Sequence, residues 1–271
     1  MDTQLWLICS LTFVIHLIGT LAYSVRIAGV RTRRIAVSFA LFSILVLVSR
    51  TSNSFLGPFL AKRVESNLAG TMATNLLSDF RWLLISSSLA TIAGALLIPT
   101  FQRVFCRAVD HFQVHRSVPK LILHGFFKGG LSYVKDAATL PAGANVSGLR
   151  RSLPMRGGVS LSITLLNVGA VALWTVGVFA SLYAGALDPD VRVTSSTLSS
   201  IINGGATIMM AVFIDPHMSG MTDDVVEGRV SEPAFRQAIV WLVGSRLAGT
   251  LLAQALLVPS AMLIVWVARA V

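Results

Sequence analysis

The sequence predicts an all-α, polytopic integral membrane protein with six transmembrane helices. Three observations carry that expectation. Of 271 residues, 54% are hydrophobic and only 13% charged, with a mean hydropathy of +0.75, whereas a soluble fold of this length needs a more charged surface. Six apolar runs reach the roughly 20 residues that a helix needs to cross a hydrocarbon core. None of the six contains an Asp or Glu. The composition excludes a soluble enzyme.

The runs lie at roughly 5–28, 35–58, 82–105, 158–186, 195–214 and 237–267, and they are read together as a single transmembrane domain over 1–271. Ahead of the first stand Asp2 and no Lys or Arg, and His16, Tyr23 and Arg26 interrupt it. It lacks a signal-peptide leader and is expected to stay in the mature protein. The second follows a short basic link with Arg31, Arg33 and Arg34. The third ends near Cys106, which places Cys106 and Cys9 on opposite membrane faces and excludes a disulfide between them.

The long connection at about 106–157 is a basic loop expected in the cytoplasm. Within it, residues 118–137 mix lysines with Leu121, Phe126, Phe127, Leu131 and Tyr133, a composition that suits an interfacial helix. Residues 141–158, rich in Gly, Pro and Arg, read as flexible loop. After the fifth run, IDPHMSGMTDD (214–224) reads as a structured loop, with Pro216 closing the helix and Asp215 and His217 as a candidate gate. The sixth run is longer than a span requires, and Pro259 is expected to bend it or end its intramembrane part.

Net charge is +10, from 18 Arg and 4 Lys against 12 carboxylates. Fourteen basic residues fall in the connections on one side of the predicted membrane and five on the other. The basic side is cytoplasmic by the positive-inside rule, so both termini are expected outside. Orientation and anionic lipid account for the excess charge, and no nucleic-acid partner is implied. Three helices followed by three would be inverted repeats; Ser49-Arg50 and Ser245-Arg246 are their one echo in sequence.

Buried cations are the strongest functional signal. Arg26 lies about one turn from the cytoplasmic end of its span, where it could snorkel. Arg50 is about 22 Å along the second helix at 1.5 Å per residue, and Arg246 is near the middle of the sixth. Such charges are expensive, so the carboxylates at helix ends (Asp79, Asp215) reach in, or water fills a cavity, or an anionic ligand completes the balance. Helical spacing gathers Thr12, His16, Gly19, Thr20, Tyr23 and Arg26 on one face, Ser43, Arg50, Asn53 and Gly57 on another, and Arg246, Gly249, Thr250 and Gln254 on a third. Small and polar residues at these spacings also pack helix against helix. A substrate-binding cavity is therefore expected around Arg26, Arg50, Arg246, His16, Tyr23 and Asn53. His16 reads as a hydrogen-bonding histidine or a proton carrier.

Signatures for nucleotide binding, zinc hydrolysis and a nucleophilic serine are absent. His111 and His115 stand four apart without the intervening Glu of a metalloprotease helix. No metal, cofactor or nucleotide is expected.

The strings HLIGTLAYSVRIAGVRTRR (16–34) and LVLVSRTSN (45–53), with the six-helix pattern, resemble the Amj family of alternate lipid II flippases. The resemblance implies translocation of undecaprenyl-pyrophosphate-linked disaccharide-pentapeptide from the inner to the outer leaflet of a bacterial cytoplasmic membrane during peptidoglycan synthesis. Lipid II and membrane lipids are the partners it implies; a homo-oligomer is compatible with the sequence and not predicted by it. A pyrophosphate suits guanidinium groups, which bind its oxygens through paired hydrogen bonds. Two other readings stand beside it: an integral-membrane enzyme acting on a prenyl phosphate, which needs an acid or nucleophile that these spans do not offer, and a structural or regulatory membrane subunit whose arginines pair with a partner's acidic helix.

Overall fold

The computed structural model describes residues 2–71, 75–115 and 158–271. The helix expected at 118–137 and the loop from 141 to 157 lie outside the described residues. The rest forms seven α-helices that make six membrane spans: α1 (Thr3–Thr32), α2 (Ile35–Leu68), α3 (Leu76–His115), α4 (Leu161–Leu187), α5 (Arg192–Met209), α6 (Asp215–Val226) and α7 (Glu232–Ala270). A π-helical turn, Met210–Ile214, joins α5 to α6, and together they make the fifth span, Pro189–Val226. The chain is a multi-pass, all-α membrane protein.

Most helices run past their expected limits. At 1.5 Å per residue the 34 residues of α2 extend about 51 Å, well beyond a hydrocarbon core of about 30 Å. Hydropathy reports where a helix is apolar, not where it stops, and its backbone hydrogen bonds continue into the polar interface. Pro259 neither ends the sixth span nor interrupts α7. The segment 214–224, expected as a loop, is helical. Pro216 stands in the first turn of α6, directly after the π-helical turn Met210–Ile214, whose shifted hydrogen-bond register accommodates a residue without an N–H.

Caps mark several ends. The Asp2 carboxylate accepts from the Leu5 amide, Ser160 from Ile163 and Ser231 from Ala234, each supplying an acceptor to a first-turn donor. The α1–α2 hairpin turns at Arg33, whose left-handed φ of 53° lets its amide reach the carbonyls of Gly29 and Val30. The buried Ser38 hydroxyl then donates to the Val25 carbonyl at 2.9 Å and pins the hairpin.

The helices group by halves. α1 packs most extensively on α2 and α3, and α4 on α5 and α7, so each half is built around its first helix. The Arg50 and Arg246 echo does not follow this symmetry: Arg50 lies on the second member of its half and faces outward, whereas Arg246 lies on the third and is buried. Close approaches are made by small residues, as in membrane bundles generally. A Cβ on Gly249 would stand 2.8 Å from the Val168 carbonyl oxygen, and one on Gly94 2.7 Å from Thr20 Cβ.

The apolar interior is divided. One cluster joins Leu5, Ile8 and Ile15 of α1 to Phe80, Phe179 and Leu257. Another joins Ile27 and Val30 at the far end of α1 to Met218, Phe235 and Leu242. Between them His16, Thr20, Asn167, Ser245, Arg246 and Thr250 are all buried, a polar belt midway along the bundle.

Candidate functional site

The belt is assembled from three helices. α7 carries Arg246 inward at 8% exposure. Its guanidinium fits against α1 because residue 19 is glycine: a Cβ there would stand 2.4 Å from Arg246 Nη2. Asn167 of α4 ties the helices together, its side-chain amide donating to the Leu242 carbonyl at 3.1 Å and the Ser245 hydroxyl at 2.7 Å. His16 and Tyr23, on either side of Gly19 on the same face of α1, both lie within electrostatic reach of Arg246. No carboxylate pairs with Arg246 among the described residues, and its Nε is buried without a hydrogen-bond partner there.

Beyond His16 lies a small cavity of about 50 Å³, lined by Thr12, His16, Asn53, Trp174, Thr175 and Asn203 among others. Trp174 packs against the His16 ring edge-on, centroids 5.3 Å apart. His16 Nδ1, Thr175 Oγ1 and Asn203 Oδ1 are buried and without partners among the described residues. Groups of this kind cost free energy unless water or a ligand satisfies them. The volume admits water but no sugar.

The predicted site residues therefore separate. His16, Tyr23 and Arg246 come together, and Asn53 lines the same cavity as His16. Arg26 does not belong with them as an unpaired cation: Asp215 lies 3.3 Å from its Nη2, Ser219 3.4 Å from its Nη1, and the guanidinium sits 5.1 Å from the Phe39 ring centroid. The end carboxylate reaches in, as one of the sequence alternatives allowed. Arg50 is exposed on α2 and does not line the cavity, because rotation about the helix axis turns it away. Asp215 and His217 occupy a helix rather than a loop, Asp215 engaged with Arg26, while His217 Nε2 is buried without a partner among the described residues.

Sequence reasoning passed over Asn167, Trp174, Thr175 and Asn203. A lone amide in the apolar run LSITLLNVGAVALW (161–174) was the available signal for the first. It also passed over Arg63, placed in a connection because the apolar run ends near 58. α2 carries Arg63 inward to 2% exposure, where its Nε donates to Asp79 at 2.8 Å and its Nη1 lies 2.9 Å from Asp2. Asp2 lies outside the spans, and the Leu5 amide hydrogen bond, aided by Arg63, holds its carboxyl below the usual range. Bonds at the opposite end join Arg31 and Arg236 to Glu232, at 2.8 and 3.0 Å, and Arg236 to Gln102 at 3.2 Å.

Comparison with known proteins places the chain in a family. Residues 11–268 match the family described as Amj, alternate to MurJ. A protein named lipid II flippase Amj from Bacillus subtilis (strain 168) is 36% identical over 270 residues, covering 98% of this chain and 97% of that protein. No solved structure matches. With family and relative each matched over nearly the whole length, the chain belongs to the Amj family.

Proposed function

We propose that this protein is a lipid II flippase of the bacterial cytoplasmic membrane, moving the undecaprenyl-pyrophosphate-linked precursor from the inner to the outer leaflet. Arg246 carries the assignment. A guanidinium held at the centre of a bundle with no carboxylate beside it is costly to the fold, and it is the group a diphosphate would satisfy. The family relationship supplies the substrate class, and the chemistry matches: a planar donor fork for phosphate oxygens, with the prenyl chain remaining in lipid.

Translocation also requires movement. A cavity of about 50 Å³ holds no disaccharide-pentapeptide, so the headgroup passes only when helices part. α2 and the fifth span are the least buried of the six, and they contribute Asn53 and Asn203 to the cavity lining. Opening there would bring Arg50, one turn from Asn53, to the edge of the path. The chain acts as a transporter, not a catalyst, working as one transmembrane unit. Both termini lie outside, with the Arg31–Glu232–Arg236 cluster at the cytoplasmic face.

Translocation of fluorescent lipid II in vesicles of the purified protein tests the assignment: transfer to the opposite leaflet is expected with the native chain and strongly reduced in Arg246→Ala. Vesicles that transfer no faster than protein-free ones overturn it. For orientation, Thr71→Cys in a background with Cys9 and Cys106 replaced by Ser should react with an impermeant thiol reagent in intact cells. Arg34→Cys should not, and the reverse pattern inverts the topology.

A further inference from the structure

We propose that His16 is a proton-binding site linked to headgroup binding at Arg246, so that about one proton joins the protein with each diphosphate. This rests on the assignment of Arg246 to the headgroup. One buried imidazole stands between Arg246, which has no carboxylate partner among the described residues, and a space for water. His16 is 3% exposed, and its Nδ1 has no partner among the described residues. It lines the small cavity whose Thr175 and Asn203 also present unspent hydrogen-bonding oxygens, a place where water can be held and a proton delivered.

The charges around the ring set the sense of the linkage. From α7 it faces Arg246; from α2, α4 and α5 it faces Asn53, Trp174, Thr175 and Asn203, none of them acidic; α3, also packed on α1, bears no titratable residue between Arg81 and Arg103; along α1 the nearest titratable group toward Arg246 is Tyr23. With Arg246 unneutralised, a second positive charge at His16 is opposed across a medium of low dielectric. A diphosphate on Arg246 removes the opposition and leaves excess negative charge, which an imidazolium offsets. The proton and the anion then favour each other reciprocally, as linked ligands must. Because the proton travels with the headgroup, it neutralises charge rather than supplying energy, and an acidic outer compartment opposes transport.

Calorimetry reads the linkage directly. Lipid II is titrated into the purified protein at pH 7.5 in two buffers of different ionisation enthalpy. The native protein is expected to take up about one proton more per lipid II than His16→Gln, which keeps a neutral polar side chain at the site. Equal uptake by the two overturns the inference and leaves the flippase assignment standing; absence of binding to the native protein overturns both. A second readout needs no change at His16. With Trp6, Trp82, Trp241 and Trp266 replaced by Phe, Trp174 reports on the ring packed against it. Lipid II should quench its emission at pH 7.5 as the imidazolium forms, and the quenching should vanish at pH 9.5. Binding without any change in Trp174 emission overturns the inference.

Discussion

Arg63 and Arg246 are buried to a similar degree, at 2% and 8% exposure, yet their surroundings are opposite. Arg63 closes one end of the bundle between Asp79 and Asp2, with Gln4 a further acceptor. Arg246 sits in the central belt with Tyr23, His16 and Asn167 and, among the described residues, no carboxylate. The same side chain is thus a strut where the fold supplies its counterions, and the proposed headgroup-binding group where none is supplied among the described residues. Burial alone does not separate the two arginines; neutralisation does.

The largest effect should fall on the strut. Arg63→Ala leaves Asp79 buried without its partner, and breaking such a pair costs about 3–5 kcal/mol, visible as a lowered melting temperature of the detergent-purified protein. The double substitution Arg63→Met with Asp79→Leu should recover much of that loss. If Arg63→Ala melted no lower than Arg246→Ala, the distinction between the two sites would collapse.

Arg246→Ala should act on function instead. Losing a charge-assisted hydrogen bond, at roughly 1.5–3 kcal/mol, weakens headgroup binding about ten- to hundredfold, with stability unchanged or raised because an uncompensated charge has gone. Arg246→Lys should fall between, keeping the charge but not the fork. Translocation rates with melting curves for each variant decide this.

Gly19→Ala sharpens the comparison without touching a polar group. The new methyl displaces the end of the Arg246 side chain, which can swing aside, so translocation should fall severalfold, less than for Arg246→Ala, while the melting temperature stays within about 4 °C. Arg50 should matter less still. On the outer flank of α2, Arg50→Lys is expected to transport normally and Arg50→Ala to lose less than Arg246→Ala.

The smallest effect concerns pH at the strut. The Asp2 carboxyl titrates below its ordinary value, so it stabilises the fold above the unfolded pKa of about 3.9. That contribution is lost as pH falls through the folded value. Asp2→Asn should flatten the acid limb of a stability profile between pH 5 and about 2, with little change at neutrality. An unaltered acid limb would show that Asp2 is not held by Leu5 and Arg63 in solution.

The stripe on α1 could be read directly, because Thr12, His16, Gly19 and Tyr23 interrupt an apolar run at helical spacing, and His16 and Tyr23 do face the belt. α2 offered no such guide. Apolar residues are spread nearly evenly around it, so its pattern shows weakly which side turns inward, and the face of Ser43, Arg50, Asn53 and Gly57 brings Asn53 to the cavity but not Arg50. Arg63 was hidden for the opposite reason: it lies past the apolar run, where hydropathy no longer reports on a helix that continues to Leu68.

By itself the sequence determined the membrane class, the six spans, the basic bias of the connections and the presence of more intramembrane cations than nearby anions. These are local properties, since a helix enters the bilayer on the apolarity of about 20 consecutive residues. Only the tertiary structure decided which cation is neutralised. Asp215 reaches Arg26 across 189 residues of chain, and Asp79 reaches Arg63 from the neighbouring helix, while Arg246 is left without either. That outcome depends on the rotation and pairing of helices. Between lipid and a helix neighbour there is little hydrophobic preference to print a pattern in the sequence, so packing of small residues such as Gly19, Gly94 and Gly249 sets the rotation.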